Sequence, residues 1–173
     1  MNEAIIKFAI MKIGIIGKGF VGTAVEYGFT CDERFKAQIK IYDINPNLKT
    51  HSLSETVNDS DFIFISVPTP ANIDGSINLE SLDTVLQKIN ECIENDCVIL
   101  IRSTVIPGTS SKFSKKYPSL KIVFNPEFLT EKNANYDFIN QSKLLNFNEN
   151  NFKFDKISKD DLTKNIKDKI FSV

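Results

Sequence analysis

The stretch from Met11 to Gly22, MKIGIIGKGFVG, constrains the fold more than any other part of the chain. An apolar run at 13–16 passes directly into a glycine turn, residues 17–22, with the spacing G-x-G-x-x-G. Where a buried parallel strand leads into a helix, the first glycine makes the tight turn, the second lets backbone approach a pyrophosphate, and the third lets the helix lie close to the strand. The N–H groups of the helix start would face the phosphates. Three glycines also make ordinary turns, so the motif by itself leaves both interpretations open.

An acidic residue ends the next apolar run. Asp43 closes a strand predicted at Gln38–Asp43 and lies 21 residues after Gly22. This offset is close to the value of about 20 at which a carboxylate binds an adenosine ribose, and a carboxylate there would repel a 2′-phosphate. The alternative is an aspartate that only caps the turn before Asn45-Pro46. Strand, glycine turn, helix and acid together favour dinucleotide binding, with NAD preferred over NADP.

Composition excludes several other classes of function. The chain of 173 residues, 42% hydrophobic and 25% charged, fits one domain with a core, and its net charge of −1 gives no reason to expect nucleic acid. Cys31, Cys92 and Cys97 form no C-x-x-C pair, which favours a reducing cytoplasm and apolar filler roles. A single histidine, His51, argues against a metal site. No apolar run reaches the roughly 18 residues of a membrane span.

Short apolar runs alternate with helix-like segments along the chain. This alternation predicts an α/β fold with a doubly wound parallel sheet, whose ligands bind at the carboxyl ends of the strands. The predicted domain covers 11–140, between an N-terminal extension at 1–10 and an Asn/Lys-rich tail at 141–173 that is irregular or helical, with a helix possible at Ser158–Phe171. Strands are predicted at 13–16, 38–43, 61–67, 97–101 and 120–124, and helices at 20–30, 52–58, 79–93 and 107–116, with Asn125-Pro126-Glu127 leading into another helical stretch through about Asn140.

Polar residues collect at the carboxyl ends of these predicted strands. The glycine turn and Asp43 are followed by Thr69 after strand three, Thr104 after strand four and Glu127 after strand five. Because all these ends lie at one edge of a parallel sheet, the residues are expected to reach one cleft. Each has a plainer alternative: the threonines satisfy turn backbone, and Glu127 with Glu131 forms the solvated first turn of a helix.

Several of these motifs together resemble a known family. The segments DFIFISVPTP, IRSTVIPGT and NPEFLTE, in that order behind IGIIGKGFVG and YDINP, are similar to the N-terminal domain of the UDP-glucose/GDP-mannose dehydrogenases. Those enzymes use NAD to oxidise the C6 alcohol of a nucleotide sugar to a carboxylate. The resemblance covers about residues 11–140 and implies a Rossmann-type sheet with NAD as the cofactor.

The resemblance also implies roles for individual residues in cofactor binding. Asp43 would hold the adenosine ribose, while Thr69 and Thr104 would lie along the nicotinamide half. Lys49, six residues past Asp43, is the counterpart of a lysine that the family places about one residue earlier. The pyrophosphate would be lined by the glycine turn, namely Gly17, Gly19, Phe20, Val21 and Gly22.

The remaining implied roles concern the substrate. Glu127 would face the sugar as an acid/base or water-orienting group, with Thr104 beside it in the chemistry. Phe128, Leu129 and Thr130 would supply backbone contacts to the substrate, and Glu131 would sit between sugar and cofactor.

The resemblance ends after the NPEFL motif. In the family a second domain supplies a lysine, an asparagine and the nucleophilic cysteine, and none of these can be placed here. A thiolate is the group that traps the aldehyde intermediate, and the three cysteines are expected far from the carboxyl-end cleft. The first hypothesis is therefore a truncated nucleotide-sugar dehydrogenase, inactive by itself, that needs a partner chain for the missing domain. A stand-alone NAD-binding or regulatory module associating with a full-length relative is the alternative; a different Rossmann dehydrogenase is disfavoured by VPTP and NPEFLTE.

Overall fold

The chain folds around a parallel sheet of five strands with helices on both faces. The computed structural model describes residues 10–31 and 37–140. The strands are β1 (Lys12–Ile16), β2 (Gln38–Tyr42), β3 (Phe62–Ile65), β4 (Val98–Ile101) and β5 (Lys121–Phe124), in the spatial order β2-β1-β3-β4-β5. All four pairings are parallel. The predicted doubly wound α/β fold is confirmed.

The helices follow the strands in alternation. They are α1 (Phe20–Cys31), α2 (Leu53–Asn58), α3 (Glu80–Cys92), α4 (Thr109–Lys116) and α5 (Ala134–Ile139), with a 3₁₀ turn at Glu131–Asn133 before α5. Ser52 begins α2 with a capping box, because its hydroxyl accepts the N–H of Glu55 while the Glu55 carboxylate accepts the N–H of Ser52. Among the described residues no helix is long and apolar enough to cross a membrane.

Two apolar layers, one on each face of the sheet, hold the helices in place. β3 is buried along its whole length because helices cover both of its faces, which explains its uninterrupted apolar sequence. The layer under α2, α3 and α4 includes Val57, Ile63, Ile65, Leu82, Leu86, Ile89, Ile99, Ile101 and Phe113. The layer under α1 and α5 includes Ile13, Ile15, Val25, Phe29, Ile41 and Phe64, with Phe138 packed against it.

The segment after β5 departs from the sequence prediction. Asn125-Pro126-Glu127 was expected to lead into a helical stretch, but residues 125–130, here called the NPE loop, are not helical, and helical structure begins at Glu131. The Glu127 carboxylate accepts the N–H of Leu129 at 2.6 Å, a local bond that competes with the helical pattern. The expected helical stretch is therefore present but begins four residues after Glu127, and the alternative of Glu127 and Glu131 on one helical turn is wrong.

Two smaller boundaries also differ. Helix α4 begins at Thr109 rather than at Pro107, because Gly108 has a left-handed backbone with φ of +87°. Strand β3 ends at Ile65 instead of Val67, although the N–H of Ser66 still donates to the carbonyl of Ile16 at 2.8 Å. Residues 1–9 of the predicted extension at 1–10, the tail at 141–173 and its helix lie outside the described residues.

Candidate functional site

The glycine turn is pressed between the carboxyl ends of β2 and β3. Gly17 has φ of +92°, and its N–H donates to the carbonyl of Tyr42 at 3.0 Å. A Cβ at Gly17 would lie 2.5 Å from the carbonyl oxygen of Ser66, and one at Gly22 would lie 2.0 Å from that of Gly17. Both positions therefore require glycine for the protein's own packing.

Gly19 differs from its two neighbours in the motif. A Cβ built on Gly19 meets no atom of the described residues within 4 Å. The turn thus presents bare backbone to open space at the start of α1, where the first N–H groups of a helix have no intrahelical acceptor. These are the features of an anion cradle whose occupant approaches the main chain closely.

Asp43 lies directly beside this cradle. Its Oδ2 accepts the N–H of Lys18 at 2.6 Å, and its Oδ1 accepts the N–H of Asn45 at 2.7 Å. The carboxylate therefore caps the turn at Asn45, as the plainer alternative had it, and also binds the glycine turn. Each carboxylate oxygen offers about two acceptor sites, so both oxygens retain capacity for hydroxyl donors.

A lysine that the sequence analysis did not single out is also part of this region. Lys18 forms an ion pair with Glu26, and its side chain is only 13% exposed. Burial lowers the pKa of Lys18 from its ordinary value. Lys49, the expected basic residue, lies exposed between β2 and α2 with no hydrogen bond or ion pair inside the described part of the chain. Lys18 and Glu26 are eight residues apart, and Lys18 precedes α1, so no helical periodicity in the sequence predicts their ion pair.

The segments that follow β3 and β4 are bonded side by side. The Thr69 hydroxyl donates to the carbonyl of Thr104 at 2.7 Å, and the Ser103 hydroxyl donates to the carbonyl of Val67 at 2.7 Å. Thr104 itself is exposed at this edge. Thr69 thus satisfies turn backbone, as its alternative role predicted, while its oxygen can still accept a bond.

A buried arginine at the end of β4 binds the first residue of the NPE loop. Arg102, at the end of β4, is 2% exposed, and its Nη1 donates to Oδ1 of Asn125 at 2.7 Å. Its Nε and Nη2 are buried without a hydrogen bond in the described part of the chain, and the guanidinium lies 5.5 Å from the centroid of the Phe138 ring. Burial lowers the pKa of Arg102 to about 10, opposed by attraction to Glu127. Sequence reasoning missed this pair because the two residues meet only in the sheet.

The residues expected to meet substrate lie on the NPE loop and just after it. Glu127 is half-buried, whereas Phe128 is 67% exposed. Thr130 donates through its N–H and hydroxyl to Oδ2 of Asp137 at 2.9 and 2.6 Å, and these bonds lower the pKa of Asp137. The loop is thus tied at its start to β4 and at its end to α5.

An open cleft of about 440 Å³ joins the start of α1 to the segment after the NPE loop. Phe20 and Glu131, two predicted site residues from opposite ends of the domain, both line this cleft. Val21 is half-buried in the first turn of α1. Asp43, Thr69, Thr104 and Glu127 do not line it. The lining consists of Phe20, Thr23, Glu131, Lys132, Asn133, Ala134, Asn135 and Tyr136.

The cysteines are located away from this edge. Cys31 ends α1, Cys92 ends α3, and Cys97 precedes β4 at its amino end. Burial raises the pKa of the Cys97 thiol to about 11, so it is an inert core residue. Within 10–31 and 37–140 no group of three or more His, Cys, Asp or Glu side chains could hold a metal ion.

Comparison with known proteins agrees with this architecture. The model of the UDP-glucose/GDP-mannose dehydrogenase family, NAD binding domain, matches residues 40–159. The uncharacterized protein MJ1054 of Methanocaldococcus jannaschii is 32% identical over 164 residues, covering 78% of this chain and 18% of that protein. A UDP-glucose 6-dehydrogenase of Rickettsia bellii is 29% identical over 166 residues, covering 78% of this chain and 38% of the enzyme.

Among solved structures, a ternary complex of GDP-mannose dehydrogenase from Pseudomonas aeruginosa superposes with a TM-score of 0.69. It is 20% identical in sequence, and the superposition covers 93% of this chain and 44% of that one. At this identity the likeness concerns the fold. The chain spans less than half the length of each of these relatives.

The sheet order, the glycine turn and the acid after β2 define a Rossmann-type dinucleotide-binding domain. The chain belongs to the UDP-glucose/GDP-mannose dehydrogenase family and matches its NAD-binding domain. NAD is accordingly its cofactor. The described residues fit this ligand, since Gly19 leaves open space beside the main chain and Asp43 retains acceptor sites.

Proposed function

We propose that this chain is the cofactor-holding part of a nucleotide-sugar dehydrogenase that oxidises a C6 alcohol to a carboxylate. The observation that carries the proposal is that the Asp43 carboxylate, bonded to the N–H of Lys18, lies next to the open backbone at Gly19. A cleft from Phe20 to Glu131 begins at the same turn. Bound NAD supplies the hydride acceptor. The residues of this chain bind the cofactor, orient it and face the substrate.

The proposed roles follow from position at the carboxyl edge of the sheet. The turn residues Gly17, Gly19, Phe20, Val21 and Gly22 would meet the pyrophosphate, with Asp43 at the ribose and Lys49 near it. Thr69 and Thr104 are joined by a hydrogen bond of 2.7 Å, which supports a shared role along the nicotinamide half.

Substrate contact is assigned to the NPE loop. Glu127 accepts the N–H of Leu129 through Oε2, which orients its carboxylate to accept a proton from a sugar hydroxyl or a water. The exposed residues Phe128 and Thr130 would contact the substrate, and Glu131 lines the cleft at the start of α1. The substrate class is a nucleotide sugar such as UDP-glucose.

The second oxidation requires a group that this part of the chain does not place at the site. Trapping the aldehyde as a thiohemiacetal needs a thiolate, and the described cysteines lie away from the carboxyl edge. We infer that a partner chain or further domain supplies the thiol and closes over the nucleotide. A regulatory module that only binds NAD is the second candidate, favoured by the same absence of a described thiol at the site.

Calorimetric titration tests the cofactor assignment. We expect the chain to bind NAD more tightly than NADP, because Asp43 accepts from ribose hydroxyls and repels a 2′-phosphate. Asp43→Ala should weaken NAD binding by about 1.5–3 kcal/mol, the range for a hydrogen bond to a charged group. Asp96→Ala is the matched control, since Asp96 lies beyond the amino end of β4 in an ion pair with Lys121. Equal affinity for the two cofactors would contradict the proposal.

A turnover assay separates the two candidate functions. The 173-residue chain, saturated with NAD, is expected to produce no NADH from UDP-glucose, because the remote binding energy that positions the substrate is missing. Addition of the C-terminal half of a close relative should restore measurable turnover if the chain is part of an enzyme. The restored activity should be lost in Glu127→Gln. Steady NADH production by the chain by itself, abolished by the same substitution, would overturn the need for a second domain.

A further inference from the structure

Lys18 lies between two carboxylates of different elements. Its backbone N–H donates to Oδ2 of Asp43 at 2.6 Å, and its side-chain ammonium pairs with Oε2 of Glu26 on α1. The Lys18 side chain is 13% exposed and that of Glu26 is 37% exposed. Nζ is buried and makes no hydrogen bond of regular geometry within the described residues, so its charge is balanced by Glu26.

The location of this cation matters for the choice between dinucleotides. NADP carries an additional phosphate on the ribose hydroxyl that Asp43 would contact, and dinucleotide-binding domains that accept it place a basic side chain close by. Lys18 is a basic residue whose own backbone contacts that carboxylate. Its ammonium, however, is turned onto α1 and neutralised.

We propose that Glu26 is a cofactor-specificity residue: it holds the Lys18 ammonium against α1 and thereby withholds it from a 2′-phosphate at Asp43. This inference rests on the proposed binding of NAD at the glycine turn. Discrimination then has two parts, repulsion by Asp43 and sequestration of the cation by Glu26. Lys49 is exposed and has no carboxylate partner in the described part of the chain, so Glu26 does not hold it, and its effect is the same in every variant tested below.

The test is a cycle of variants titrated with NAD and NADP. Glu26→Gln keeps the side-chain size and removes the charge that holds Lys18. We expect the affinity for NADP relative to NAD to rise about tenfold, the effect of one additional cation on a phosphate. In the double variant Glu26→Gln with Lys18→Met the gain should disappear, because the cation is then absent.

Three controls make the outcome decisive. Glu91→Gln removes the same charge from α3 on the other face of the sheet and should leave the ratio unchanged. Circular dichroism verifies folding, and Glu26→Ala provides a second variant with the same expected gain. An unchanged ratio in both Glu26 variants overturns the proposal, as does a gain that persists without Lys18.

The proposed function fails in a different way. A folded wild-type chain that binds neither dinucleotide defeats NAD binding and this inference together. A wild-type chain that binds NAD, with no NADP gain in the Glu26 variants, defeats only the role of Glu26.

Discussion

The glycine turn and the NPE loop lie at the same edge of one sheet but are held by different forces. The turn is held by close approach of main chain to main chain, which the glycines at 17 and 22 permit. The NPE loop is held by bonds to side chains: Arg102 donates to Asn125, and Thr130 donates to Asp137. The comparison teaches that the cofactor side depends on glycines, which have no Cβ. The substrate side depends on polar side chains such as Arg102, whose burial costs free energy that their hydrogen bonds must offset.

The largest expected effect separates two glycines of the same turn. Gly22→Ala should destabilise the fold by about 3 kcal/mol or more, because its Cβ would lie 2.0 Å from the carbonyl oxygen of Gly17. Gly19→Val should leave the unfolding free energy within about 1 kcal/mol of wild type and weaken NAD binding at least about 100-fold, since its side chain enters only the ligand space. Denaturant melts and calorimetric titration measure both quantities. Full NAD affinity in a folded Gly19→Val chain would remove the turn from the site.

A second prediction concerns how the buried Arg102, beside the NPE loop, affects the free energy of unfolding. Asn125→Ala should destabilise the fold by about 2–3 kcal/mol, because it leaves the buried Arg102 without its hydrogen-bonded acceptor. Arg102→Met should cost less than about 1 kcal/mol, since it removes a buried charge, two of whose nitrogens have no hydrogen bond among the described residues, and keeps apolar contact with Phe138. Urea denaturation of both variants is the measurement. The reverse order would mean that Arg102 is a net source of stability.

The smallest effect is expected where the segments that follow β3 and β4 are bonded, between the glycine turn and the NPE loop. This bond, from Thr69 to Thr104, is called the junction here. Thr69→Val keeps the shape of the side chain and removes the bond to the carbonyl of Thr104. We expect a loss of about 1 kcal/mol in unfolding free energy, the usual net value of one hydrogen bond, with a threefold loss at most in NAD affinity, or about 0.7 kcal/mol. Thr84→Val, at an exposed position on α3, is the control and should be close to neutral. A loss as large as that of Asn125→Ala would show that the junction, rather than the buried arginine, holds this edge.

Prediction from the sequence succeeded where the signal is local. Apolar runs at strand spacing identified all five strands, and the capping residue Ser52 stands where the second helix begins. At the NPE loop the prediction placed helical structure too early, directly behind Asn125-Pro126-Glu127. The Glu127 bond to the N–H of Leu129 redirects the backbone there, and such a bond has no periodicity to detect.

By itself, the sequence determined the parallel sheet, the glycine turn and the acid that ends β2, because hydrophobic period and glycine spacing act over a few residues. The tertiary structure decided that, of the three glycines in the turn, Gly19 faces open space among the described residues, that Glu26 binds Lys18, and that the buried Arg102 binds Asn125. The two pairs, Glu26 with Lys18 and Arg102 with Asn125, each join different segments of the fold. Their energies depend on burial and on which partners the sheet brings together, and neither quantity exists until the chain has folded.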